Sequence, residues 1–346
     1  MEVLQKMKLG ITGLPGAGKS TVFDALTRNV SDGVHKGESR IGTIQVPDSR
    51  VDVLSDMYHP RKTIYAQVEY FLPTHQEKKT DRNFLTPVRD CDALIHVVRN
   101  FGGYGFEEPT PYKDFLIFDQ ELVLSDLMVV EKRMERLKLD RKRGKLVEQE
   151  LSLLSECLKH LESETPLRRF REIAGAHLLR GYAFLSAKPM LVLFNNEDDD
   201  ERLSEMKGDG DSWEDAMIIR GKLEQELGQM SDEEAEDFLE EFNITASATD
   251  RVIKRSYHLL GLISFFTVGE DEVRAWTIKK GTEALDAASV IHSDIKKGFI
   301  RAEVISYDDL MAAGTYQEAR KKGTVRLEGK TYEVQDGDIV NFRFNV

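Results

Sequence analysis

Apolar residues along the chain fall into three textures. Residues 7 to 12 form a brief apolar run that stops at a glycine-rich turn, after which Thr21-Val22-Phe23-Asp24-Ala25-Leu26 shows helical spacing. Runs rich in Val, Ile and Leu recur at Ile41 to Val46, Ala66 to Phe71, Ala93 to Val98, Met190 to Phe194 and Ala216 to Ile219, bounded by turn or charged residues. Strands separated by helical patterns predict a mostly parallel sheet covered on both faces.

Between the fourth and fifth strands the period lengthens to that of a helix. Leu122, Leu124, Leu127, Val130 and Met134 make one stripe and Leu146, Leu151, Leu154, Leu158 and Leu161 another, with Gly144 between them. Two long antiparallel helices are expected there, a hairpin inserted into the sheet domain. From Ile263 onward the texture changes again: Val273 to Ile278, Phe299 to Val304, Thr324 to Leu327, Thr331 to Val334 and Ile339 to Phe344 read as strands of a small mixed sheet. Gly329-Lys330 and Asp336-Gly337-Asp338 are expected to supply hairpin turns.

Charge narrows the partners. The net charge of −13 argues against a whole-molecule phosphate binder and against DNA as partner, so any RNA contact must be local. The acidic stretches from Glu197 to Glu201 and from Asp232 to Glu241 read as solvated faces. The densest basic segment lies at the hairpin tip, where Lys132, Arg133, Arg136, Lys138, Arg141, Lys142, Arg143 and Lys145 outnumber Glu135 and Asp140. It is either a solvated helix end or an RNA-contacting tip. No apolar run approaches the length of a membrane span, and Cys91 and Cys157 stand far apart without metal-ligand spacing. A cytoplasmic protein with two buried thiols and no membrane partner is the expectation.

The chemistry concentrates at Gly13-Leu14-Pro15-Gly16-Ala17-Gly18-Lys19-Ser20-Thr21, which satisfies G-x-x-x-x-G-K-[ST] between a strand and a helix. In such a P-loop the amides of Pro15, Gly16, Ala17, Gly18, Lys19, Ser20 and Thr21 curve around phosphate oxygens, proline supplying only its place in the turn, and the helix dipole adds to them. Lys19 is expected to neutralise the β and γ phosphates, and the Ser20 hydroxyl to complete an Mg²⁺ shell. The bound nucleotide is expected to be ATP or GTP.

These residues, with Val46-Pro47-Asp48-Ser49-Arg50, Lys188-Pro189, Asp237-Phe238-Leu239, Val268 to Ile278, Ile291-His292-Ser293-Asp294, Gly298 to Val304 and Asn341 to Val346, resemble the YchF/Obg-like ATPase family over nearly the whole chain. The resemblance implies an α/β fold: a Ras-like P-loop NTPase domain with an inserted α-helical hairpin and a C-terminal β-grasp (TGS) domain. The expected boundaries are 1–118 with 183–262 for the NTPase, 119–182 for the hairpin and 263–346 for the TGS-like module. Association with the ribosome or structured RNA, and nucleotide-dependent action in translation or stress, are implied likewise.

Three segments depart from that pattern. His35-Lys36-Gly37-Glu38 stands where a switch threonine is expected, and Thr43 falls within the following strand. Leu72-Pro73-Thr74-His75-Gln76 replaces the Asp-x-Ala-Gly-Leu switch, which leaves His75 and Gln76 as candidates to orient a water. At the base-recognition element, Asn195-Asn196-Glu197-Asp198 retains Asn195 and offers Asp198 to a base edge, and Arg220-Gly221-Lys222 offers the Gly221 amide. Two readings follow: a nucleotide-dependent ribosome-associated factor with slow hydrolysis, or a nucleotide-binding scaffold without NTPase activity that binds ribosome or RNA. A small-molecule kinase is a third class, and the TGS-like C-terminus argues against it.

Overall fold

The computed structural model describes residues 7–28, 38–74, 85–103, 107–143, 147–203, 215–241 and 247–345. In chain order the first elements are β1 (Lys8–Thr12), α1 (Lys19–Leu26), β2 (Arg40–Gln45), α2 (Ser49–Tyr58), β3 (Lys62–Ile64), β4 (Gln67–Leu72) and β5 (Ala93–Asn100). Next come α3 (Pro111–Lys142), α4 (Glu148–Glu162), α5 (Arg171–Ala174), β6 (Met190–Asn196), β7 (Ala216–Ile219), α6 (Gly221–Leu227), α7 (Asp232–Glu241) and α8 (Ala248–Leu259). The C-terminal part adds β8 (Leu262–Val268), β9 (Glu272–Lys279), α9 (Ala284–Ile291), α10 (Ser293–Lys297), β10 (Phe299–Ser306), α11 (Tyr307–Ala313), α12 (Tyr316–Lys322), β11 (Arg326–Glu328) and β12 (Asp338–Phe344).

The strands form two sheets, ordered β2-β4-β1-β5-β6-β7 and β11-β10-β12-β8-β9-β3. The chain divides into two compact units: residues 7–42 with 69–252, and residues 43–68 with 253–346.

In the first unit β1 pairs in parallel with β4 and β5, and β5, β6 and β7 continue in parallel. The near-continuous apolar runs of β1, β5 and β6 are explained by burial on both faces. Leu94, Val98, Phe194 and Met190 on one side of the sheet meet Phe115, Phe118 and Leu122 of α3.

Helix α3 begins at Pro111, where the fixed φ and missing N–H of proline suit a first helical position. It runs 32 residues, so its two halves have different partners. The first covers the sheet, and the second packs Val123, Val130 and Leu137 against Leu154, Cys157 and Leu161 of α4. Contacts of Gln120 with Glu164, Arg133 with Glu150 and Arg141 with Glu148 run in opposite directions along the two helices, making the hairpin antiparallel. Leu124, expected in the apolar stripe, is exposed, and Val123 takes the inward position. Gly144 and Leu146 lie outside the described residues. Two buried carboxylates lock α3 in place: Asp126 accepts from the amides of Leu185 and Ser186 at 3.0 and 2.7 Å, and Asp119 pairs with Arg168 at 2.8 Å. Burial pushes the Asp126 carboxyl above its ordinary range, against the pull of those amides and Arg89.

In the second unit β8 and β9 form an antiparallel pair, and β10 lies between β11 and β12, antiparallel to both. The residues from Ile263 to Val268, not expected as a strand, are the central β8. Thr331 to Val334 is not a strand, and a single bridge joins Glu333 to Glu283. β11 and β12 flank β10 and do not pair with each other, so the turns at Gly329 and Gly337 close no hairpin between them. Residues 43–68 join this unit through β3, which pairs in parallel with β9. Arg50 of α2 reinforces that union by bridging Asp48 and Asp336, each at 2.8 Å.

Candidate functional site

The turn after β1 is built on backbone that most residues resist. Gly13 has φ +140° and Gly18, the N-cap of α1, φ +86°. A Cβ on Gly13 would meet Val97 O at 2.3 Å, and one on Gly18 would meet Asn195 Nδ2 at 2.2 Å. Both glycines are therefore required by conformation and by space. Pro15, Gly16 and Ser20 are exposed, Thr21 is half-buried, and Ala17 is buried at the base of the loop.

Lys19 sits inside this curve. It is 8% exposed, and its ammonium donates to Gly13 O at 2.9 Å and Leu14 O at 2.8 Å. Among the described residues no carboxylate pairs with it. Burial without a counter-charge lowers its pKa to about 8. Of the loop amides, that of Ala17 donates to Leu14 O at 3.3 Å and so closes the turn. A buried cation held by carbonyls beside a helix N-terminus fits an oxyanion.

Asn195, at the end of β6, ties the loop to its surroundings. Its Nδ2 donates to Ala17 O at 3.2 Å and its Oδ1 accepts the Gly221 amide at 2.9 Å. The Gly221 N–H is thus engaged by Asn195. Asp198 is exposed, its Oδ1 accepting from Leu223 N at 3.3 Å. The sequence-predicted residues Pro15 to Thr21, Asn195 and Gly221 converge, and Asp198 sits on the loop after β6.

Other residues shape this end of the sheet without a motif to announce them. Asn196 accepts from Asn100 Nδ2 at 2.9 Å and donates to Asp200 O and Arg202 O, so its amide turns inward to order the loop. Glu197, read from sequence as part of a solvated acidic run, accepts the Gly102 amide at 2.7 Å. Asp24 of α1 pairs with Arg40 and accepts from Gln225 at 3.1 Å. A cavity of about 370 Å³ opens beside Leu14 and Pro15, with His96, Arg99, Glu107 and Asp114 on its wall.

Around the switch positions, Leu72 is a buried residue ending β4, and Thr43 lies on β2. The Ser39 and Thr74 hydroxyls meet at 3.0 Å. His75, Gln76 and His35 to Gly37 lie outside the described residues. For a divalent cation the chain offers the exposed Ser20 hydroxyl, and no group of three His, Cys, Asp or Glu is gathered among the described residues. The remaining ligands of a hard cation would be phosphate oxygens and water, as its chemistry allows.

Comparison with known proteins bears on the whole chain. A family model, YchF-GTPase_C, described as "Protein of unknown function (DUF933)", matches residues 262–345. A Bacillus subtilis protein named "Ribosome-binding ATPase YchF" is 37% identical over 363 residues, covering 97% of this chain and 99% of its own. The Escherichia coli O157:H7 protein of the same name is 34% identical, covering 98% and 99%. The Schizosaccharomyces pombe YchF GTPase structure superposes with a TM-score of 0.82 at 30% identity over 98% of both chains. A GTP binding protein from Pyrococcus horikoshii, 20% identical with a TM-score of 0.52 over 98% of this chain and 100% of its own, shares the fold. With full-length similarity on both counts, the chain belongs to the YchF family.

Proposed function

We propose that this protein is a nucleotide-binding, ribosome-associated factor of translation or stress that holds ATP or GTP in the Gly13 to Thr21 loop. The observation that carries the reading is the buried Lys19 ammonium, held by loop carbonyls and with no carboxylate partner among the described residues. In this reading the amides of Gly16 and of Gly18 to Thr21 hold phosphate oxygens, the Ala17 amide closes the turn on Leu14 O, and Lys19 neutralises the β and γ phosphates. Ser20 ligates Mg²⁺, which when bound supplies charge neutralisation at those phosphates. Asn195 keeps the loop in shape, Gly221 holds Asn195, and Asp198 meets a base edge. The relatives' names, a ribosome-binding ATPase and a GTPase, support nucleotide use and a ribosomal partner and leave either base in play. A C-terminal TGS-like module and the hairpin of α3 and α4 are assigned to partner binding, and the cytoplasm is the compartment where ribosomes are met.

The second reading, a scaffold that binds nucleotide without turning it over, is favoured by one observation: buried Leu72 stands where the switch Asp is expected. Calorimetric titration with nonhydrolysable ATP and GTP analogues, with and without Mg²⁺, tests the site, and co-sedimentation with ribosomes tests the partner. Micromolar or tighter, Mg²⁺-dependent triphosphate binding that disappears in Lys19→Ala is expected. Equal affinity of parent and Lys19→Ala would overturn the assignment.

A further inference from the structure

Asp24 joins α1, β2 and α6 beside the phosphate loop. It stands on α1 one turn beyond Ser20, so the two share a helix face. One of its oxygens pairs with the Arg40 guanidinium at the start of β2, and the other accepts from Gln225 Nε2 of α6 at 3.1 Å. The pair is largely withdrawn from water, the Arg40 and Asp24 side chains being 20% and 18% exposed. The guanidinium also lies over the Phe23 ring, 4.5 Å from its centroid, so Arg40 cannot leave α1 without giving up both interactions. Helix α6 in turn begins at Gly221, the residue whose amide Asn195 holds.

Close packing supports the same union. A Cβ on Gly42 would meet Thr27 Cγ2 at 2.3 Å, so β2 passes the C-cap of α1 at a distance that glycine allows. Thr27 is fully buried, and its hydroxyl donates to Phe23 O at 2.7 Å, which holds its methyl against β2. Immediately before Arg40, the Ser39 hydroxyl accepts the Thr74 amide at 3.3 Å and meets the Thr74 hydroxyl at 3.0 Å, just past the end of β4. A continuous set of contacts therefore runs from the first turn of α1 through Asp24 and Arg40 to Ser39 and Thr74. Buried Leu72, in the place of the switch Asp, gives a γ-phosphate no comparable link.

We propose that Asp24 and Arg40 are positioning residues that make the phosphate loop report its occupancy: filling by a nucleoside diphosphate or triphosphate alike orders the start of β2 and the end of β4. This deepens the nucleotide-binding reading and rests on it. Phosphate oxygens on the amides at the N-terminus of α1 restrain an eight-residue helix whose second turn carries Asp24 and Phe23. Restraint there shortens the excursions of Arg40 and Ser39, so binding is coupled to local order without a second arrangement of the chain. Both nucleotides present the phosphates that those amides hold, and they therefore act alike.

Hydrogen exchange of the full chain tests this in peptides covering residues 38–42 and 71–74. The site is left empty, saturated with ADP or GDP, or saturated with a nonhydrolysable triphosphate, and calorimetry checks saturation. Exchange is expected to slow by about threefold or more on filling, to the same extent with either class of nucleotide. Arg40→Gln at saturating nucleotide should exchange as fast as when empty. Arg40→Lys, which keeps a charge over Phe23 and beside Asp24, should restore part of the slowing. Gly42→Ala, which pushes β2 from Thr27 without removing a charge, should act like Arg40→Gln. A pair that only stabilises the fold would raise exchange in every state of Arg40→Gln and keep the parent's ratio of empty to filled, and that result overturns the proposal. So does a parent whose exchange ignores a saturated site, or slows with triphosphate alone; in both cases the nucleotide-binding reading stands. A parent that binds no nucleotide in calorimetry overturns both.

Discussion

The side-chain amide of Asn195 donates to the carbonyl of Ala17 at 3.2 Å, across 178 residues of sequence, while its oxygen accepts the Gly221 amide. Asn195→Ala leaves both partners buried and unpaired, a cost of about 1 to 3 kcal/mol for each. Urea unfolding should show a lower midpoint at unchanged slope, and triphosphate affinity should fall with it. Asn195→Asp should bind triphosphate more weakly still, because it sets a carboxylate against the Ala17 carbonyl and beside the incoming phosphates. Parent-like affinity in both variants would remove Asn195 from the site.

Lys19 predicts a pH dependence of binding. Its folded pKa lies at about 8, below the ordinary 10.5, because the ammonium is buried. Stability therefore rises between about pH 8 and 10.5, where only the unfolded chain holds the proton. A triphosphate favours the ammonium, so binding above pH 8 must take up a proton. Affinity should then fall by up to about tenfold per pH unit. Calorimetry in two buffers of different ionisation enthalpy reads the uptake directly, and Lys19→Arg should abolish it. A flat profile from pH 7 to 9.5 would contradict the buried, uncompensated ammonium.

His96 acts on the acid side. Its ring lies 4.4 Å from that of Phe118, it is 1% exposed, and burial, with the charges of Arg168 and Lys19, lowers its pKa to about 3. Below pH 6.5 the unfolded chain accepts a proton that the native state refuses, so stability falls as pH drops towards 3. The slope is at most about 1.4 kcal/mol per pH unit. Between pH 6.5 and 5, His96→Phe should lose about 2 kcal/mol less than the parent on this account. Equal losses in urea titrations at the two pH values would rule it out.

Much of this molecule was legible because local rules and tertiary structure agree. The strands at Met7 to Thr12, Ala93 to Val98 and Met190 to Phe194 are short apolar runs whose burial on both faces removes any ambiguity of period, and the P-loop announces itself by spacing. What failed depended on partners distant in sequence. Leu124 shares helical spacing with its stripe, yet Val123 points inward because α3 changes partner along its length. Ile263 to Val268 became a central strand through pairing with β9 and β12, whereas Thr331 to Val334 meets the Thr282 to Ala284 turn in an isolated bridge too short to make it one. The inward Asn196 and the Glu197 bond to Gly102 carry no sequence signature, since an Asn or Glu on a loop is ordinarily solvated.

The hairpin tip offers a separate electrostatic test. Arg133 is engaged by Glu150 and Tyr182, each at 2.9 Å, and Arg141 pairs with Glu148 at 3.0 Å, whereas Lys142 and Arg143 are exposed at the end of α3. Replacing Arg141, Lys142 and Arg143 by Glu should weaken ribosome co-sedimentation and flatten its salt dependence by roughly 0.7 to 0.9 in logarithmic slope for each phosphate no longer neutralised. Lys142 and Arg143 should account for most of the change, because Arg141 is partly neutralised by Glu148. An unchanged slope would remove the hairpin tip from the ribosome contact.

Hydrolysis is expected to be slower than in a relative that retains both switch motifs. Phosphoryl transfer is accelerated mainly by positioning and by charge stabilisation, so the groups that hold metal and water set the rate. Here Ser20 is the one metal-side hydroxyl assigned with the loop, Leu72 occupies the buried end of β4, and Thr43 belongs to β2. A leucine side chain cannot accept from a metal-bound water, and a threonine held in a strand is not carried by a closing loop. The γ-phosphate then has few groups through which to draw the flanking segments together. Single-turnover assays with ATP and GTP, beside hydrogen exchange over residues 31 to 44 and 72 to 86 in triphosphate and diphosphate states, measure rate and coupling in the same samples. Slow or absent turnover with little difference in exchange between the two states is the expected result. Family-like turnover with strong triphosphate-dependent protection of either segment would reverse the conclusion and make His75 and Gln76 the first residues to replace.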